Sequence, residues 1–117
     1  MKKYGLKQEH IDAICRCFIP YPAIEQVILY GSRAKGNFKN GSDIDLAIIG
    51  ADMTFTDLLN LETMLDDLLL PYKIDVSLKK NIDNADLLDH IERVGKLFYQ
   101  RDAVSVVKET GGKYQSE

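Results

Sequence analysis

Two short groups in this 117-residue chain have types and spacing suited to phosphate chemistry: Gly31-Ser32, and ten residues later Asp43-Ile44-Asp45. Gly31 lets a backbone approach a bulky anion with no side chain in the way. Ser32 adds a hydroxyl, and successive loop N–H groups form a concave anion site. Asp43 and Asp45 are two apart, so on a strand both point to one face. Two carboxylates on one face repel unless a cation sits between them. Hard oxygen donors suit magnesium or manganese, and phosphate oxygens would complete the coordination shell.

Positioning these groups needs a strand into Gly31 and a strand out of Asp43. Residues 24–30 supply the first, with Val27, Ile28, Leu29 and Tyr30. Ser32 to Gly36 forms one helical turn, Gly36 to Gly41 a flexible loop, and residues 43–49 the second strand. The continuous apolar run after Asp45 marks that strand as largely buried. Upstream, Ile11, Ile14, Cys15 and Phe18 recur at helical spacing, which predicts a helix over 7–19 ended by Pro20-Tyr21-Pro22. Downstream, a helix capped by Thr54 or Thr56 runs to about Leu70, where Pro71 stops it. Residues 72–78 then alternate as a third strand, with Lys73, Asp75 and Ser77 on its polar face. Asp75 thus stands on a polar face in a neighbouring element, where it reads either as a solvent-facing residue or as a third carboxylate. Residues 84–100 make a last helix with Leu87, Leu88, Ile91, Val94, Leu97 and Phe98 on its apolar side. Gly95 inside it costs about 1 kcal/mol relative to alanine, so a close packing contact or a helix break is expected there. Val104, Val106 and Val107 suit a short strand or a partner contact, and 109–117 reads as a frayed tail.

Composition narrows the classes. The formal net charge is −3, with 45% apolar and 28% charged residues, ordinary for a globular domain. An acidic balance argues against a dedicated nucleic-acid binder but leaves room for a nucleotide on a locally positive loop. Arg33, Lys35 and Lys39 supply that charge. No apolar stretch approaches membrane-spanning length, and no signal peptide is visible, so the cytoplasm is the expected location. Cys15 and Cys17 point to different sides of a helix and read as small apolar fillers. His10 and His90 have no ligand-like neighbours and read as surface or helix residues.

Residues 31–46 resemble the signature of the DNA polymerase beta-like nucleotidyltransferase superfamily. The similarity is nearest to its minimal nucleotidyltransferases, short proteins that often act as antitoxins to HEPN-domain ribonucleases. Gly31, Ser32, Asp43 and Asp45 match that motif residue by residue, and Glu92–Tyr99 resembles the group's closing segment. The resemblance implies an α+β fold: a small mixed sheet of three to four strands with helices mainly on one face. It implies one domain over 1–117, with a core at about 7–100 and a flexible tail at 101–117. It implies Asp43, Asp45 and Asp75 as catalytic and metal-holding carboxylates, and Gly31, Ser32, Arg33 and Ser42 as nucleotide-binding residues. Two Mg2+ ions (or Mn2+) and ATP are the implied cofactor and donor. The implied acceptor is a tyrosine hydroxyl on a cognate HEPN toxin, with AMP transferred to it. A small-molecule nucleotidyltransferase and a non-catalytic antitoxin acting by contact are the rival readings. Neither nucleic acid nor membrane is an expected partner, and the choice between homodimer and hetero-oligomer stays open.

Overall fold

The computed structural model describes residues 2–101. A short hairpin comes first, β1 (Lys2–Lys3) and β2 (Leu6–Lys7), followed by α1 (Gln8–Arg16) and β3 (Gln26–Tyr30). The turn α2 (Ser32–Lys35) and a loop lead to β4 (Ile44–Ile49), α3 (Phe55–Asp66) and β5 (Ile74–Leu78). The chain closes on α4 (Ala85–Val94) and β6 (Lys96–Gln100). The four long strands form one mixed sheet in the order β5-β4-β3-β6. β3 lies antiparallel to both β4 and β6, while β4 and β5 run parallel with α3 as their crossover. This is the expected α+β class.

Side-chain alternation along the strands builds two unequal cores. Val27, Leu29, Ile44, Leu46, Ile48, Val76 and Leu78 face α1 and α3, where Ile11, Ile14, Phe18, Leu58, Leu61 and Leu65 meet them. The other face carries a smaller cluster of Tyr30, Ala47 and Ile91, flanked by Ile28, Ile82 and Leu87. Ile91 and Leu87 of α4, with Ile82 before it, cover this cluster.

Local chemistry explains most element ends. Thr54 and Asp57 form a reciprocal capping box at the start of α3, with bonds of 3.0 and 3.1 Å, satisfying two otherwise orphan amides. That helix stops at Asp66, short of the expected Leu70, because Leu69 turns left-handed at φ 55°. The Asn84 side chain caps α4 by accepting from the Leu87 amide at 3.0 Å.

The expected helix over 84–100 is corrected: it ends at Val94, and Lys96–Gln100 are strand. Gly95 is the break. Its ψ is 143°, and a Cβ there would run into the Ile91 carbonyl and lie 2.7 Å from Ile28 Cγ2. Beyond it, aromatic residues suit a strand, and the open side of β3 offers a ladder to join. Tyr99 packs on Phe18 with ring centroids 5.2 Å apart. Arg101 secures the strand's end by donating to the carbonyls of Phe18, Tyr21 and Ile24. The N-terminal hairpin was not legible as strand and packs beside the loop after α2. The readings made for Val104–Val107 and the tail lie outside the described residues.

Candidate active site

Strand register assembles a row of three polar side chains. Tyr30 pairs with Asp45 across β3 and β4, and Asp45 pairs with Asp75 across β4 and β5. Because side chains alternate, this row shares the α4-facing side of the sheet with Ile28, Ala47 and Ser77. The row lies where β3 ends and β4 and β5 begin, and its Tyr30 packs in the cluster with Ile91 of α4. Asp43 sits one residue before β4 and is exposed, as is Asp75; Asp45 between them is half-buried.

The electrostatics are those of crowded negative charge. Burial first, and then the charges of Asp75 and Asp43, push the Asp45 carboxyl above its ordinary pKa. His90 and Lys73 act in the opposite direction. The Tyr30 hydroxyl is also pushed up, by burial and then by Asp45 and Asp75, while a hydrogen bond with Ser77 works against that. Like charges held side by side favour a bound cation. Among the described residues, no three His, Cys, Asp or Glu groups close into a ready-made metal cage. The hard carboxylate oxygens present are of the kind that hold magnesium, which binds through one or two carboxylates and completes its shell from substrate phosphates and water.

Gly31 is shaped by this row. Its φ is 77°, and a Cβ at this position would collide with Asp45 Oδ2. Only glycine meets both demands. The Gly31 amide donates to His90 Nε2 at 3.1 Å. Ser32 then opens α2, whose earliest amides have no acceptor inside the turn. Gly31, Ser32, Asp43, Asp45 and Asp75 thus converge at one end of the sheet.

Arg33 and Ser42 are placed differently from the nucleotide-binding role implied for them. Arg33 is 3% exposed, the one buried charged side chain among the described residues. Its Nε and Nη2 both donate to the Ser42 carbonyl, at 3.1 and 3.0 Å, and its Nη1 donates to the Tyr4 carbonyl at 2.9 Å. The guanidinium lies 5.1 Å from the ring centroids of both Phe38 and Tyr72. The Ser42 hydroxyl accepts from the Lys39 amide at 2.9 Å. These groups hold the loop and one another, and three of the guanidinium's N–H donors are taken by backbone carbonyls. A burial this complete carries no sequence signal, since Phe38 and Tyr72 lie on separate elements. His90 escaped the sequence reading for the same reason: its partner is 59 residues away.

The family model for polymerase beta nucleotidyltransferases matches residues 12–104. Solved structures agree in fold. A crystal structure of a toxin–antitoxin with AMP-PNP superposes with a TM-score of 0.64 at 20% identity, over 86% of each chain. The toxin–antitoxin MntA-HepT gives 0.61 at 19% identity, over 89% of this chain and 86% of that one. A tri-AMPylated Shewanella oneidensis HEPN toxin in complex with MNT antitoxin gives 0.61 at 19% identity, over 86% of this chain and 77% of that one. No curated protein matches the chain. With its sheet, its Gly-Ser turn and its row of carboxylates arranged in this way, the chain belongs to the polymerase beta nucleotidyltransferase family and is a nucleotidyltransferase.

Proposed function

We propose that this nucleotidyltransferase is an antitoxin that transfers AMP from ATP to a tyrosine hydroxyl of a HEPN ribonuclease toxin. The observation that carries the reading is the Asp45–Asp75 pair, adjacent in register, with Asp45 set against Gly31. The likeness in fold to toxin–antitoxin structures, one with AMP-PNP and one with a tri-AMPylated HEPN toxin, supports the choice of donor and acceptor.

In this reading Asp43, Asp45 and Asp75 hold divalent magnesium, or manganese in its place. Bound there, the metal supplies positive charge against the triphosphate and makes an approaching hydroxyl more acidic. Gly31 lets the triphosphate lie close to the backbone, while the Ser32 hydroxyl and the following amides orient its β and γ phosphates. Asp75, exposed on the edge strand, takes the proton of the incoming tyrosine. The tyrosine oxygen bonds to the α-phosphorus as the bond to pyrophosphate breaks. The site opens to solvent beside that strand, so an acceptor presented by another protein can reach it. Addition of AMP would then block the toxin's ribonuclease site. Residues 1–117 act as one domain on this account. An ATP donor and two unbridged thiols suit the cytoplasm.

The test is intact-mass analysis of a HEPN toxin after incubation with this protein, ATP and magnesium. The expected result is a gain of one or more AMP units on a toxin tyrosine, absent with Asp45→Asn. A stable inhibitory complex without any mass gain would replace this reading with neutralisation by contact. Transfer to an aminoglycoside-type small molecule, with none to the toxin, would replace it with small-molecule modification.

A further inference from the structure

We propose that His90, reaching from α4 on the same side of the sheet as the carboxylate row, is a positioning residue that fixes the Gly31–Ser32 turn. The proposal rests on the nucleotidyl-transfer reading for its kinetic consequence, but its structural part stands alone. β3 ends at Tyr30, its last ladder pair being Tyr30 with Asp45, and on its other side the pairing with β6 stops at Leu29 with Lys96. The next amide, that of Gly31, is therefore beyond both ladders. A backbone donor at a half-buried position needs an acceptor, and His90 Nε2 supplies it at 3.1 Å.

The ring is held on two sides. It meets Tyr30 edge-on, with centroids 6.2 Å apart and planes at 80°, while its nitrogen engages the next residue along. The helix behind it is anchored by Ile91, 4% exposed, and by Leu87, packed on the cluster of Tyr30, Ala47 and Ile28. α4 therefore fixes the height of His90 over the sheet, and His90 fixes the plane of the peptide that enters Gly31. That peptide sets the direction of the Ser32 hydroxyl and of the amides that follow. Gly31 has no side chain with which to hold itself, and at φ 77° it is the residue with most freedom to turn away. His90 acts through Gly31 and has no need to touch the nucleotide.

Two variants separate positioning from simple packing. His90→Leu keeps an apolar body against Tyr30 and removes the acceptor. His90→Gln places an amide oxygen near the position of Nε2. Gly31 amide hydrogen exchange is measured by NMR on each variant, with the Ile91 amide as the internal reference for α4. The kinetics of AMP transfer are measured at varied ATP concentration. In His90→Leu we expect Gly31 to exchange about tenfold faster with Ile91 unchanged, and kcat/KM for ATP to fall about tenfold, the scale of one lost hydrogen bond. His90→Gln should recover most of both losses.

Gly31 exchange and kcat/KM both within about twofold of the parent protein in His90→Leu would overturn the proposal. So would a His90→Gln variant no better than His90→Leu in either readout. Equal acceleration at Gly31 and Ile91 would assign His90 to helix packing instead. If the parent protein transfers no AMP, the functional reading fails by itself, and Gly31 exchange in the two variants still decides whether His90 holds the turn.

Discussion

Asp45 carries opposed demands from folding and chemistry. Burial and two neighbouring carboxylates raise its pKa in the folded protein. Where pH lies below the ordinary carboxyl value, both folded and unfolded chains hold the proton and Asp45 costs nothing. As pH rises through the folded-state pKa, stability is lost, because the unfolded chain ionises more readily. Asp45→Asn should therefore raise the melting temperature at about pH 7 and give no gain near pH 3. In the same variant AMP transfer should fall at least about a hundredfold, since the charge that organises the reaction is gone. Thermal unfolding across pH checks the first statement. An Asn variant no more stable at neutral pH would mean the carboxylates do not strain the fold. The residues most legible before folding were those whose chemistry is local: Gly31, Ser32, Asp43 and Asp45 lie within fifteen consecutive positions. Alternation also placed Asp75 on the correct face. Its pairing opposite Asp45 was not legible, because register is set by tertiary contacts between strands.

Between elements, Arg33 joins three parts of the chain: the N-terminal hairpin through the Tyr4 carbonyl, the loop before β4 through Ser42, and the approach to β5 through Tyr72. Ser42 precedes Asp43, so this bond network sets where the acidic strand begins. Lysine cannot reproduce it. A single ammonium lacks the planar fork that meets the Ser42 carbonyl from two nitrogens while a third reaches Tyr4, and it stacks poorly between rings. Arg33→Lys should cost about 3 kcal/mol in urea unfolding, the scale of losing charged hydrogen bonds at a buried site. A loss below about 0.5 kcal/mol would show that the loop is held by other contacts. At this scale the sequence misled in one instructive place. Val94, Leu97 and Phe98 fit a helical stripe, so the pattern ran on through Gly95. The glycine and the Phe98-Tyr99 pair were the signals for a break and a strand. What decided the outcome was a free side of β3, which no local pattern reports.

For the molecule as a whole, the division of labour follows the two faces of the sheet. The face against α1 and α3 holds the larger core, and the face under α4 is filled at one end and polar at the other. On the proposed function, the chemistry sits at the polar end, beside the exposed Asp43 and Asp75. Burial and nearby Asp12 raise the Cys15 thiol to about 11, and it donates to the Phe98 carbonyl at 3.7 Å. A thiol so little ionised is a poor nucleophile. The central claim is that the carboxylate row holds a metal only together with a nucleotide. Its most direct test is titration of Mn2+ into the protein, followed by electron paramagnetic resonance, with and without a non-hydrolysable ATP analogue. We expect weak Mn2+ binding to the protein alone, binding at least about tenfold tighter with the analogue, and loss of that gain in Asp45→Asn. Equal Mn2+ binding in the parent protein and Asp45→Asn, with the analogue present, would contradict the account.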